Sequence, residues 1–410
     1  MPTIVQHRIS GVSRRVASAA LALAVMLAPT LVATPSACAQ SFSVIYTFTG
    51  GPDGEVPFAD LVRDAAGNLY GTTVFGGDVS CNRGYGCGTV FKIDPAGNKT
   101  VLHRFKAGID EGFPYAGLIR DATGNLYGTT SGFVKHSGTV FKLDPNSTMT
   151  VLYSFQGGTD GAYPVAGLVR DEAGNLYGTT PVGGVGCQVA GCGTVFKLDK
   201  SGSETVLYSF TGGADGEDPV AGLVVDAAGY LYGATRAGGA FGMGTVFKLD
   251  KTGTYSLLYT FGTRRRDGEY PYGSLAVDSA GTLYGTTFYG GVSSKGTVFK
   301  VDKSGNESVR LSFKGYPEDG DGPQAGLVGD AEGNLYGTTR YGGVYGEGAV
   351  FKLDKGGKET VLYSFTGGAD GKNPLAGLVR DAAGNLYGTT SAGGTGCGGA
   401  GCGTVFKLTP

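Results

Sequence analysis

Seven copies of LYGTT or a near copy run through the chain, with tyrosines at Tyr70, Tyr127, Tyr177, Tyr232, Tyr284, Tyr336 and Tyr387. Their spacings are 57, 50, 55, 52, 52 and 51 residues, a period that belongs to stacked or circular repeat architectures. Each unit contains four short segments rich in Val, Leu, Tyr, Phe and Thr and bounded by Gly, Asp, Asn or Pro, as strands between tight turns are. In the third unit they read GLVRD (167–171), NLYGTT (175–180), GTVFKLD (193–199) and TVLYSF (205–210). We call these strands a, b, c and d. The 77 glycines among 410 residues fit such a chain, because glycine supplies the positive backbone angles that turns require. They follow no three-residue period, and 11% aromatic residues is too many for a disordered tract.

The seventh unit carries a, b and c, ending in CGTVFKLTP (402–410), while a matching d segment, SVIYTF (43–48), stands ahead of the first unit. In a linear solenoid this split leaves two ragged edges. In a ring, the N-terminal segment pairs with strand c of the last unit and covers the backbone groups that an open edge exposes. The prediction is an all-β, seven-bladed β-propeller of four-stranded blades, closed by the N-terminal strand on the last blade. A β-helix is the alternative, but about 52 residues is long for one coil and leaves the split unexplained.

Residues 1–39 read as a signal peptide ahead of a single propeller domain at 40–410. Arg8, Arg14 and Arg15 form a basic start, 16–32 is an apolar core, and ACA (37–39) is a small-x-small cleavage site. SRRVAS (13–18) has twin arginines without the usual apolar–basic continuation, so the general and twin-arginine routes both stay open; Pro35 stands where a lipobox before Cys38 wants Leu. No other run reaches the ~18 apolar residues of a membrane span. The expected product is exported, periplasmic or extracellular, and monomeric. Without the signal, 30 Lys+Arg face 35 Asp+Glu, which argues against a nucleic-acid partner.

GLVRDAAGNLYGTTSAGG…GTVFKL (377–408) resembles the GloVer-type tandem repeat of exported bacterial proteins, and all seven units carry it. The resemblance implies secretion and a propeller-like array, and it implies no reaction.

In such a blade the a–b and c–d turns share one face, and the b–c and d–a connections share the other. The a–b turns are near copies of DAAGN, whereas the b–c and d–a loops vary from unit to unit. Binding residues favour loops on a rigid scaffold, so the variable face is the candidate functional face. The mature cysteines all fall in b–c loops: Cys81 with Cys87, Cys187 with Cys192, and Cys397 with Cys402. At this spacing in an exported protein they read as three disulfides. Zinc is the alternative, but each pair offers two ligands and no neighbouring His. Neither a metal nor a cofactor is called for.

Each d–a loop has an Asp near a Gly: Asp53, Asp110, Asp160, Asp215, Asp267, Asp319 and Asp370. A carboxylate ring can hold calcium, but its presence in every unit favours a turn. EDGDG (318–322) is the one stretch dense enough in oxygens to suggest calcium, without EF-hand spacing.

Departures from the repeat single out further residues. Asp60 stands where other units have Gly117, Gly167, Gly222, Ser274, Gly326 and Gly377. It is expected either to contact a ligand or to accept backbone N–H bonds. Arg63, Arg120, Arg170 and Arg380 end strand a in contiguous units, an arc on the uniform face that suits an anion or salt bridges to the Asp residues that follow them. His103 takes a position that is elsewhere mostly Tyr, and His136 lies in a b–c loop. So few histidines make a Ser-His-Asp triad or a multi-His metal centre hard to build. Tyr85, Tyr163, Tyr270, Tyr289 and Tyr345, in loops of the variable face, suit stacking on sugar rings. The reading is a non-enzymatic binding or scaffold module for a glycan, peptide or cell-surface partner. The alternative is a polysaccharide- or small-molecule-cleaving lyase or hydrolase on a propeller scaffold.

Overall fold

Seven four-stranded antiparallel sheets follow one another along the chain, each built from consecutive strands a to d except the last. The structure is a computed structural model that describes residues 40–410 apart from 107, 109, 111, 133–136 and 188–190. The predicted signal peptide at 1–39 lies outside the described residues. Blade 1 comprises Val62–Arg63, Leu69–Thr73, Thr89–Ile93 and Lys99–Arg104. Blade 7 takes Val379–Arg380, Leu386–Thr390 and Thr404–Thr409 from the end of the chain and Ser41–Thr47 from its beginning. Ser41 pairs with Thr409, Phe42 with Leu408 and Thr47 with Thr404. The predicted closure is the one observed.

The repeat sequence explains the blade. In five blades the Asp of the a–b turn accepts bonds from the N–H and side-chain amide of the Asn four residues on, and from the Tyr hydroxyl of LYGTT. In blade 1 these are Asn68 and Tyr70 on Asp64, at 2.8–3.0 Å. The LYGTT glycine lets strand b lie against the ring of strand c: a Cβ at Gly178 would come within 2.6 Å of Phe196. The last Thr pairs with the Thr that opens strand c, as in Thr73 with Thr89 at 2.8 Å. The Thr before it reaches across the seam to the next blade. Thr72 donates to the Ala116 carbonyl, Thr338 to Ala376 and, closing the circle, Thr389 to Ala59. Blade 4 reads LYGAT, and its Ala234 has no hydroxyl to offer.

Each seam is filled by two phenylalanines, one just after strand d and one from strand c of the following blade. The pairs are Phe48–Phe91, Phe105–Phe141, Phe155–Phe196, Phe210–Phe247, Phe261–Phe299, Phe313–Phe351 and Phe365–Phe406. All meet edge-to-face with centroids 5.0–5.3 Å apart, the geometry the aromatic quadrupole prefers. Strand a differs from expectation in length, pairing over two residues per blade rather than five. The residues before it are the ones that wall the central channel.

Phe48 is fully buried, whereas Val44 on the same N-terminal strand is 36% exposed. Phe48→Ala is expected to cost about 3–5 kcal/mol by leaving a cavity in the closing seam. Val44→Ala is expected to cost less than about 1 kcal/mol. Denaturant unfolding of the two variants measures the difference.

Candidate functional site

The two faces differ in what their polar groups do. On the uniform face the turn Asp, Asn and Tyr satisfy one another. The Arg63 guanidinium lies over the Tyr387 ring, Arg120 over Tyr70 and Arg380 over Tyr336, each 5.8–6.0 Å from the centroid and each crossing to the preceding blade. Three of the four candidate anion-binding arginines therefore bracket separate seams. Arg170 acts across its own seam, lowering the Tyr127 hydroxyl electrostatically against the larger upward effect of burial.

On the variable face, the d–a loop of a blade is tied to the start of its b–c loop. Gly268–Glu269 pairs with Tyr289–Gly290 and Gly320–Asp321 with Tyr341–Gly342. Single bridges do the same at Glu55–Phe75, Ala162–Val182, Glu217–Ala237 and Lys372–Ala392. Beside these ties, the residue ahead of each strand-a Pro is left-handed: Val56, Phe113, Tyr163, Asp218, Tyr270, Gly322 and Asn373, with φ between 52° and 60°. Six of the seven are not glycine, and for bulky residues this conformation is a genuine outlier. It persists because each N–H donates to a carbonyl of the preceding blade's b–c loop at 2.7–3.0 Å.

In three seams that carbonyl belongs to the second cysteine of a disulfide: Cys402 for Val56, Cys87 for Phe113 and Cys192 for Asp218. The predicted pairs Cys81–Cys87, Cys187–Cys192 and Cys397–Cys402 form, with Cα atoms 5.7, 5.4 and 5.6 Å apart. They brace the loops that hold the strained residues. Glu55 lies beside the Cys397–Cys402 pair and Glu217 beside Cys187–Cys192, but sulfurs joined to each other leave no thiolate to hold a metal.

After the left-handed residue and its Pro, the chain runs extended down the channel wall, and side chains alternate between channel and core. The first inward position forms a collar of seven half-buried residues: Phe58, Tyr115, Val165, Val220, Tyr272, Gln324 and Leu375. The next inward position is glycine in five blades, Ser274 in blade 5 and Asp60 in blade 1. Collar and floor enclose a cavity of about 240 Å³. Water reaches the Asp60 side chain inside this cavity, while protein surrounds it on its other sides. Burial raises its pKa against the opposing hydrogen bond, in which the Gly377 N–H donates to Oδ1 at 2.5 Å.

Aromatic rings extend the collar outward in two places. Tyr272 meets Phe288 edge-on at 5.5 Å, Phe288 meets Tyr289 at 4.6 Å, and Tyr289 meets Tyr270 at 6.1 Å. The Arg236 guanidinium, paired with Asp218, lies 5.5 Å from the Tyr272 centroid. Across blades 1 and 2, Phe58 meets Tyr115 at 5.5 Å and Phe75 meets Phe113 at 5.9 Å.

The sequence profile of the Gloeobacter/Verrucomicrobia repeat matches residues 31–189 and 171–406. The chain belongs to the Gloeobacter/Verrucomicrobia repeat family. No curated protein matches it. Among solved structures, the extracellular domains of two hybrid two-component systems of B. thetaiotaomicron align over 90% of this chain. They do so at 13% and 14% identity with TM-scores of 0.54 and 0.55. The alignments span 41% and 42% of those chains, so this protein covers less than half of their length. A luciferin-regenerating enzyme aligns over 90% of this chain and 95% of its own at 13% identity, with a TM-score of 0.44. The likeness to the two extracellular domains shows the fold. Among the described residues no helix is long and apolar enough to cross a membrane.

Mapped onto this member of the repeat family, the sequence candidates divide. Asp60 sits at the floor of the mouth, Tyr270 and Tyr289 join one aromatic cluster, and Tyr163 is a left-handed rim residue. Tyr85 and Tyr345 project from b–c loops of blades 1 and 6, at 66% and 58% exposure. His136 lies outside the described residues. The Nε2 of His103 meets Asp110 at 2.6 Å, standing in for the Tyr hydroxyl used by other blades. The collar residues Phe58, Tyr115 and Tyr272 were missed. Their signal was available, as the residue that changes from unit to unit after the strand-a Pro, in a stretch that reads Pro-x-Ala in six units and Pro-Tyr-Gly in blade 5.

The Asp of each d–a loop is a turn residue. Asp53, Asp160, Asp215, Asp267 and Asp370 each accept from the preceding strand-d Tyr hydroxyl and from loop N–H groups. In EDGDG, Glu318 pairs with Lys314, Asp321 with Lys295, and Asp319 takes two backbone N–H bonds. The first residue of the next strand d packs toward this Asp, as Lys99 does, 2.8 Å from Asp53. Three blades put a glutamate there, and Glu204, Glu307 and Glu359 each keep a buried Oε1 without a hydrogen-bond partner. Burial, then the neighbouring Asp160 or Asp267, pushes Glu204 and Glu307 up to about 7, and Glu359 beside Asp319 is raised in the same way.

These glutamates hold protons in the folded state that the unfolded chain, near pKa 4.3, has already released. Stability is therefore greatest below about pH 4.5 for this contribution and is lost as pH rises through 7. Glu307→Gln is expected to flatten that decline by on the order of 1–2 kcal/mol between pH 5 and pH 8, read from denaturant midpoints across the range. Tyr163→Gly is expected to raise stability by about 0.5–1 kcal/mol, since glycine adopts the left-handed backbone without a Cβ clash. Unfolding at fixed pH checks it.

Proposed function

We propose that the chain is an exported, non-enzymatic binding module that takes a glycan or peptide ligand at the mouth of the channel. One observation carries this reading: seven equivalent loops hold one strained backbone conformation while presenting Val, Phe, Tyr, Asp, Tyr, Gly and Asn. Fixed geometry with varied side chains is how a rigid scaffold presents a recognition surface. The half-buried collar and the two aromatic clusters add flat apolar faces for sugar rings or side chains. Three disulfides support an oxidising, exported setting.

The raised Asp60 carboxyl favours the enzyme reading, since a general acid needs such a shift. Against it, glycoside hydrolysis uses two carboxylates, and Asp60 is the sole carboxylate lining the cavity. Glycan and peptide arrays followed by calorimetry test the proposal. Tyr272→Ala is expected to weaken the ligand found at least tenfold with little change in melting temperature. Arg120→Ala, on the uniform face, is expected to leave affinity unchanged. Turnover of the ligand that disappears in Asp60→Asn would replace the module with an enzyme.

A further inference from the structure

The floor of the cavity holds one charge and no partner for it. Among its lining residues there is no Lys, Arg or His, and Asp60 is the only carboxylate. The side chain keeps contact with water, and no residue lining the cavity supplies a counter-ion, so a charge at a position that is glycine in five blades needs a reason. Inter-blade hydrogen bonding does not supply one. Ser274 stands at the same position of blade 5 and accepts the N–H of Gly222, in the preceding blade, at 3.1 Å. Asp60 accepts the N–H of Gly377, also in the preceding blade. A neutral hydroxyl makes the same bond, and glycine does without it in the other five blades. What Asp60 alone adds is negative charge at the base of a tube lined by apolar and aromatic groups.

Collar and floor are two residues apart on an extended strand, so the carboxylate lies roughly 7 Å below the collar. That is within the reach of an ammonium on a four-carbon stem. The rings of Phe58, Tyr115 and Tyr272 at the rim favour passage of a cation. We propose that the channel mouth binds a primary ammonium carried on an unbranched apolar arm, with the arm in the collar and the ammonium on Asp60. This chemistry is shared by a lysine side chain and a free alkylamine. The inference rests on the channel mouth being the ligand face.

Calorimetry and thermal shift on the intact exported chain, with n-pentylamine, 1-pentanol and pentanoate as probes, test the charge requirement. Pentylamine is expected to bind at least tenfold more tightly than pentanol, with pentanoate weakest. Asp60→Asn keeps an acceptor for Gly377 and is expected to reduce pentylamine to the level of pentanol. Asp60→Gly, the residue of five other blades, should do the same. A Gly-Lys-Gly peptide set against its norleucine counterpart separates the sources. A lysine preference greater than that for pentylamine points to a peptide ligand, and a smaller one to a free amine. Equal affinity for amine and alcohol, or undiminished amine binding in both Asp60 variants, overturns the proposal. If that happens while Tyr272→Ala still abolishes binding of an array ligand, the binding-module reading survives and the ammonium site alone fails.

Discussion

Seven edge-to-face phenylalanine pairs, one in each seam, are the interaction on which the rest of this molecule depends. A single blade is a small twisted sheet with two faces and no interior of its own. Placing the ring that ends one blade against the ring at the centre of the next gives every sheet a buried face on both sides. The LYGTT glycine clears the space for that contact, and the threonine hydroxyls beside it tie most seams at the backbone. Because each blade supports the next, the final seam is equivalent to the others only when the N-terminal strand completes blade 7.

With stability supplied by the seams and the uniform turns, the opposite face is free to vary. Its loops nevertheless have little conformational latitude. Ribbon ties, disulfides and inter-blade hydrogen bonds hold seven left-handed residues in one geometry, and six of those residues bear that backbone cost without being glycine. Strain tolerated at one ring of positions, and nowhere so regularly elsewhere among the described residues, marks the place where side-chain identity matters more than local comfort.

The same contrast separates Asp60 from the other acidic residues. Loop aspartates and EDGDG are engaged in turns and with tyrosine hydroxyls and lysines. The glutamates at the seams face an aspartate and answer the conflict with a proton. Among the residues lining its cavity Asp60 is the only acid and there is no base, and its side chain is open to solvent. A carboxylate so placed is poised for a cation from outside.

Much of this was legible in the sequence. The period, the four strand segments per unit, the split last unit and the local cysteine spacing determined the ring, its closure and its disulfides, because each rests on backbone hydrogen bonding or short-range covalent geometry. Asp60 was legible too, as a charge in a glycine position. The collar positions were visible as variable residues after each strand-a Pro, but their convergence on one channel, the left-handed ring and the pairing of seam glutamates with aspartates were decided by tertiary structure alone. They join residues 26 or more positions apart in sequence, and in the case of Asp60 and Gly377 at opposite ends of the chain. Proximity of that kind exists only once seven blades share an axis, and no local pattern of residue types encodes it.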